Sequence, residues 1–196
     1  MRPSCIPVLC LAFVWGGGPQ LLAADASPVK TIDAERSVLT VRVFKAGLFS
    51  AFGHNHVIKA PVAEGTLNEQ TPQVELQVKA NQLRVMDEDV SDKDRAEIQA
   101  TMLGPKVLDS QRFPEIRFRS TRLEEVSPGR WKVQGELSLH GQSRPVTVSA
   151  ERREGRYFGS ASLKQRDFGI IPVTVAGGTV KVKDEVRIEF EIVARD

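Results

Sequence analysis

Cysteine is nearly missing from this chain: there are two, Cys5 and Cys10, and both fall within the first ten residues. That region reads as a leader. Arg2 supplies a short positive start, Ile6 to Trp15 is an apolar run, and Ala24-Asp25-Ala26 offers a small-x-small cleavage site, so residues 1–26 are expected to be a signal peptide. Its removal takes both thiols with it, which excludes a disulfide framework, a cysteine nucleophile and a Cys-based metal site. The apolar run falls short of the roughly 20 residues that span a bilayer, and no later stretch comes closer, so no transmembrane anchor is expected. Charge of one sign is lacking too. Lys and Arg number 27 against 25 Asp and Glu, interleaved, and no polybasic run marks a nucleic-acid or anionic-membrane partner. A G-x-S-x-G elbow is absent, and Ala176-Gly177-Gly178 lies between β-like runs rather than before a phosphate-cradling helix, which leaves nucleophilic and nucleotide chemistry without support.

What remains is one domain, residues 27–196, of a size that buries most of its apolar surface without covalent staples. Its pattern is alternation. Leu39, Val41 and Val43 share one parity in Ser37–Lys45, and Val74, Leu76 and Val78 do so in Gln73–Ala80. Ile116, Phe118 and Ser120 alternate with arginines. Trp131, Val133, Gly135, Leu137 and Leu139 form one face of Arg130–Leu139. Val62–Asn68, Pro145–Ala150, Tyr157–Lys164 and Glu185–Val193 complete roughly eight strands, which argues for an antiparallel barrel or sandwich. The period changes once. Ser91 to Leu103 opens on a Ser91-x-x-Asp94 cap and closes at Gly104-Pro105, predicting one helix that covers or closes part of the β structure.

An apolar inner face is by default a packed core. Gly135, Gly159 and Ala161 on inward parities, with one Tyr and two Trp in the whole chain, instead suggest open space inside. The alternation leaves both readings standing.

The stretch Ala46–Ile58 carries two of the three histidines, His54 and His56, two residues apart. On an extended segment both imidazoles project to one face and can meet one divalent metal ion, given a third ligand such as Glu64 or Asp89. The plainer alternative is a pair of rim histidines bonded to backbone or to a ligand's head group. His140, before Gly141, reads as a turn residue tolerant of positive φ. Asp167 reads as a structural bond at the Phe168-Gly169 corner, and Asp87, Glu88, Asp89, Asp92 and Asp94 as a solvated approach to the helix.

Four motifs, in order along the chain, together resemble the YceI-like, polyisoprenoid-binding family. They are Ile32-Asp33…Ser37-x-Leu39, Arg112-Phe113-Pro114-x-Ile116-x-Phe118-x-Ser120, Gly135-x-Leu137-x-Leu139-His140-Gly141-x-x-x-Pro145-Val146 and Asp167-Phe168-Gly169-Ile170. The resemblance implies an eight-stranded, lipocalin-like antiparallel barrel with one covering α-helix, in exported carriers or binders of isoprenoid and other amphiphilic chains that are not generally enzymes. Two departures stand out: Lys45 and Ala46 occupy the place before Gly47 where many members carry a histidine, and His54-Asn55-His56 stands where an aromatic is usual.

With the resemblance, the inner face is expected to be a ligand cavity lined by Leu39, Val41, Val43, Leu76, Val78, Phe118, Trp131, Val133, Leu137 and Tyr157. The expected function is a periplasmic or secreted protein that binds an isoprenoid-type lipid and catalyses nothing, as a monomer or a homodimer. The alternative is an exported metal-binding protein, or a weak metal-dependent hydrolase, built on His54 and His56.

Overall fold

β-Branched and aromatic residues at alternate positions, with Arg, Lys and Glu between them, favour strands that bury one face. The computed structural model describes residues 29–46, 55–68, 73–175 and 180–195. Within them the strands are β1 (Lys30–Ile32), β2 (Val38–Ala46), β3 (His56–Ala60), β4 (Val62–Asn68), β5 (Gln73–Lys79), β6 (Arg84–Val85), β7 (Glu115–Ser127), β8 (Arg130–Leu139), β9 (Gln142–Arg153), β10 (Arg156–Lys164), β11 (Thr174–Val175) and β12 (Val180–Arg195). Helix α1 (Asp92–Leu103) separates β6 from β7.

The strands close into an eight-stranded antiparallel barrel. The ring runs β4-β5-β7-β8-β9-β10-β12, and two interrupted strands share the last place in it and the one beside it. β12 pairs through Ala194 and Arg195 with β1 and through Lys181 to Glu191 with β2, while β3 and β4 continue one another across Pro61. The break between β1 and β2 is fixed by Asp33 and Ser37. The Asp33 carboxylate accepts from the N–H groups of Glu35 and Arg36, and the Ser37 hydroxyl accepts from the Val193 N–H at 3.0 Å.

Several strands are longer than their apolar patterns predict. β7 runs on to Ser127 and β9 covers Gln142–Arg153, because hairpin pairing with β8 continues past the point where a bulge or polar side chains break the simple alternation. The β8–β9 turn is only His140-Gly141, with φ of 51° and 72°, a two-residue loop that matches the strands' twist. His140 therefore is the turn residue expected. It also does more: its Nδ1 donates to the Phe168 carbonyl at 3.1 Å, since a carbonyl can only accept, and its ring meets Phe113 edge-on.

The helix forms as predicted. Ser91 caps it, accepting from the Asp94 N–H at 3.1 Å, and the Gly104 N–H ends it on the Ala100 carbonyl at 3.0 Å. It docks across one end of the barrel. There Met102 packs with Ile58, Val78, Leu83, Val85 and Leu108. Gln99 completes the exposed ladder of β6, accepting from the Val85 N–H and donating to the Leu83 carbonyl, both at 2.8 Å. The side chain thus takes the part of a neighbouring strand.

Two expectations are corrected here. The corner at Phe168-Gly169 is not held by the Asp167 side chain. Asp184 accepts from the Arg166 N–H, the Asp167 carbonyl accepts from Arg144, and Gly169 takes φ 73°. Nor do Gly135 and Gly159 leave open space. A Cβ on Gly135 would stand 2.5 Å from the Phe118 ring, and one on Gly159 2.3 Å from the Phe190 ring. Each glycine is covered by an aromatic ring of the neighbouring strand.

Candidate ligand cavity and its rim

The barrel encloses a cavity of about 460 Å³, within the size range of small-molecule sites. All ten residues named from alternation line it: Leu39, Val41, Val43, Leu76, Val78, Phe118, Trp131, Val133, Leu137 and Tyr157. They come from five strands, β2, β5, β7, β8 and β10, each contributing its inward parity. Val146, Val148, Ala161, Ile188 and Phe190 extend the same surface, and Met102, Leu108 and Ile170 floor it at the α1 end. The walls are aliphatic and aromatic almost throughout.

Four side chains break that pattern. Gln165 lies buried near the floor and donates from Nε2 to the Lys183 carbonyl at 2.8 Å. Asn68, also buried, lines the cavity at the end of β4. Glu125 and Arg152 are the two exposed residues among the described lining, and both lie where hairpins β7–β8 and β9–β10 turn. Arg152 carries its guanidinium over the Tyr157 ring, 5.8 Å from the centroid, and Tyr157 in turn packs on Trp131 at 6.2 Å. Its backbone is pinned by its N–H donating to the Gly129 carbonyl.

Neither charge was singled out from sequence. Arg152 follows Val146, Val148 and Ala150 on the inward parity, so alternation alone would have found it. Glu125 was hidden by a bulge. The β7–β8 register shifts between Ser120 and Arg122, so the inward set passes from Ile116, Phe118 and Ser120 to Leu123 and Glu125.

At the opposite end, His56 opens β3. Its Nδ1 donates to Asp87 Oδ2 at 2.6 Å, and Asp87 Oδ1 accepts from the Val57 N–H at 2.8 Å. The Asp87 carbonyl accepts from Arg95 Nε, joining the pair to α1. Asp87 is 4% exposed, which corrects the expectation of a solvated acid before the helix: Asp87 turns inward while Glu88, Asp89, Asp92 and Asp94 are exposed. His54 lies outside the described residues. Glu64 and Asp89, named as recruits for a metal, are not joined to His56; Asp87 takes that place. Among the described residues no three His, Cys, Asp or Glu side chains converge as a metal site.

The sequence profile of the YceI-like domain matches residues 31–194. The chain belongs to the YceI-like family. Similar curated proteins include a UPF0312 protein of Vibrio cholerae, 28% identical over 109 residues, which are 50% of this chain and 56% of the relative. A UPF0312 protein of Vibrio parahaemolyticus is 29% identical over 116 residues, 54% of this chain and 59% of the relative. The YceI-like chain thus matches a little over half the length of these relatives. Among solved structures, Burkholderia cenocepacia BcnA superposes with a TM-score of 0.59 at 16% identity, covering 84% of this chain and 99% of that one. A mutant YCEI protein of Campylobacter jejuni gives 0.50 at 11% identity, covering 97% and 99%. At these identities the likeness is one of fold. No helix among the described residues is long and apolar enough to cross a membrane.

Proposed function

We propose that this YceI-like protein is an exported carrier that holds a polyisoprenoid or similar amphiphilic lipid inside its barrel, without catalysis. The observation that carries the reading is the enclosed apolar cavity of about 460 Å³, continuous from the hairpin rim to the α1 floor. A flexible apolar chain placed there gains roughly 0.8 kcal/mol for each methylene withdrawn from water. Such binding needs no specific polar contact along the chain, which suits walls that offer almost none. The apolar leader of residues 6–15 supports export.

Native mass spectrometry of the protein purified from an exporting host without chelator tests this. The expected result is a bound mass matching a long-chain lipid on a polypeptide lacking its leader. A bare polypeptide mass overturns the carrier reading. A single metal ion, lost on His54→Ala, replaces it with the metal-binding alternative built on His54 and His56.

A further inference from the structure

The two ends of the cavity differ in a way that orients its occupant. At the α1 end the described lining residues Met102, Leu108, Leu163 and Ile170 are all buried. Among the described residues, the two lining side chains that are fully exposed, Glu125 and Arg152, stand at the hairpin end, and both are charged. An ionised head group cannot lie among aliphatic walls without losing its hydration, so it must stay at a wet rim. Guanidinium groups match carboxylate and phosphate oxygens through paired N–H donors. Here the guanidinium is steadied over Tyr157 at the edge of the apolar lumen.

We propose that the hairpin end is the mouth of the barrel, and that Arg152 receives the anionic head of a single-chain amphiphile whose tail runs toward α1. This rests on the interior-ligand reading above and adds to it a direction and a head-group chemistry. Glu125, on the same rim, opposes an anion and limits the affinity. It also rejects anionic amphiphiles wherever Arg152 is lost.

Isothermal titration calorimetry of the full chain with dodecanoate, dodecyl phosphate and dodecanol separates the terms. These share a tail and differ in the head. At least one anion is expected to bind about tenfold or more tightly than dodecanol, the range for a hydrogen bond to a charged group. Arg152→Gln should bring that anion to the dodecanol level or below it while leaving dodecanol unchanged, and Glu125→Gln should strengthen anion binding. Which anion responds tells carboxylate from phosphate. Dodecanol binding as tightly as both anions, or a preference that survives Arg152→Gln, overturns the head-group assignment while leaving the carrier reading standing. Binding of none of the three overturns both. Arg152→Gln and Glu125→Gln sit on an exposed rim, and unchanged thermal unfolding of each variant ensures that the loss is one of recognition.

Discussion

His56 donates from Nδ1 to Asp87 Oδ2 across 2.6 Å, linking the first residue of β3 to the segment that leads into α1. The second carboxylate oxygen holds the Val57 N–H, and the Asp87 carbonyl holds Arg95. One nearly buried acid therefore joins sheet, connecting segment and helix. A buried carboxylate is tolerable only with such partners.

Removing it should be costly. Asp87→Ala leaves the Val57 N–H and the imidazole without an acceptor and is expected to lower stability by about 2–3 kcal/mol. Asp87→Asn keeps an acceptor and should lose less. Urea unfolding of both variants and of His56→Ala measures this, and the double-variant cycle gives the coupling of the pair. An Asp87→Ala protein as stable as wild type would mean that the contact contributes only geometry.

Gly159 makes the opposite kind of prediction, since it fails by crowding. An added Cβ would meet the Ser149 carbonyl at 2.2 Å as well as the Phe190 ring. Gly159→Ala is therefore expected to destabilise the barrel by about 1–3 kcal/mol, the usual range for overpacking. Because the Ser149 contact is with backbone, trimming the ring in Gly159→Ala/Phe190→Leu should not restore the melting temperature. Full recovery in that double variant would show that the ring alone sets the limit.

Gln99 supplies a third case. Gln99→Ala leaves the Val85 N–H without its acceptor at the edge beneath α1 and the Leu83 carbonyl with Arg84 as its remaining donor, and a loss of about 1–2 kcal/mol is expected. Hydrogen exchange at the Val85 amide should accelerate beyond what the global loss explains. Exchange unchanged at Val85 would show that water replaces the amide without penalty.

Why some of this was legible in sequence and some was not follows from the range of each signal. Strand faces have a period of two, so Leu39, Val41, Val43, Leu76 and Val78 name their own side of the barrel from neighbours alone. The helix announces itself through Ser91 and Asp94, three residues apart. The four family motifs become intelligible as fasteners. Ser120 accepts from the Val74 N–H, the Pro114 carbonyl from Ala80, and Gly141 makes room for Phe113. Long-range pairings have no such trace. Nothing near Asp87 tells it apart from Glu88 or Asp89 until His56, thirty-one residues earlier, is brought beside it. A glycine on an inward parity reads as space until the adjacent strand lays a ring over it. Glu125 faces the lumen only because β7 bulges beside Thr121.

The cavity itself yields the last prediction, because filling it separates lumen binding from surface binding. Ala161 lines the cavity from β10, and no backbone strain attends its replacement in an ordinary strand. Ala161→Phe should place a ring in the lumen and occupy space that a lipid chain would otherwise take. The folded barrel should survive, since an apolar ring entering an open apolar cavity gains contacts rather than forcing rotamers. On the carrier reading, the lipid bound by the variant is then expected to fall tenfold or more below the wild-type level, about what the loss of two buried methylenes would produce. Circular dichroism checks the fold and native mass spectrometry counts the bound lipid. If the variant folds and carries as much lipid as the wild type, the chain must lie outside the lumen, and the carrier reading would have to move to the barrel's exterior.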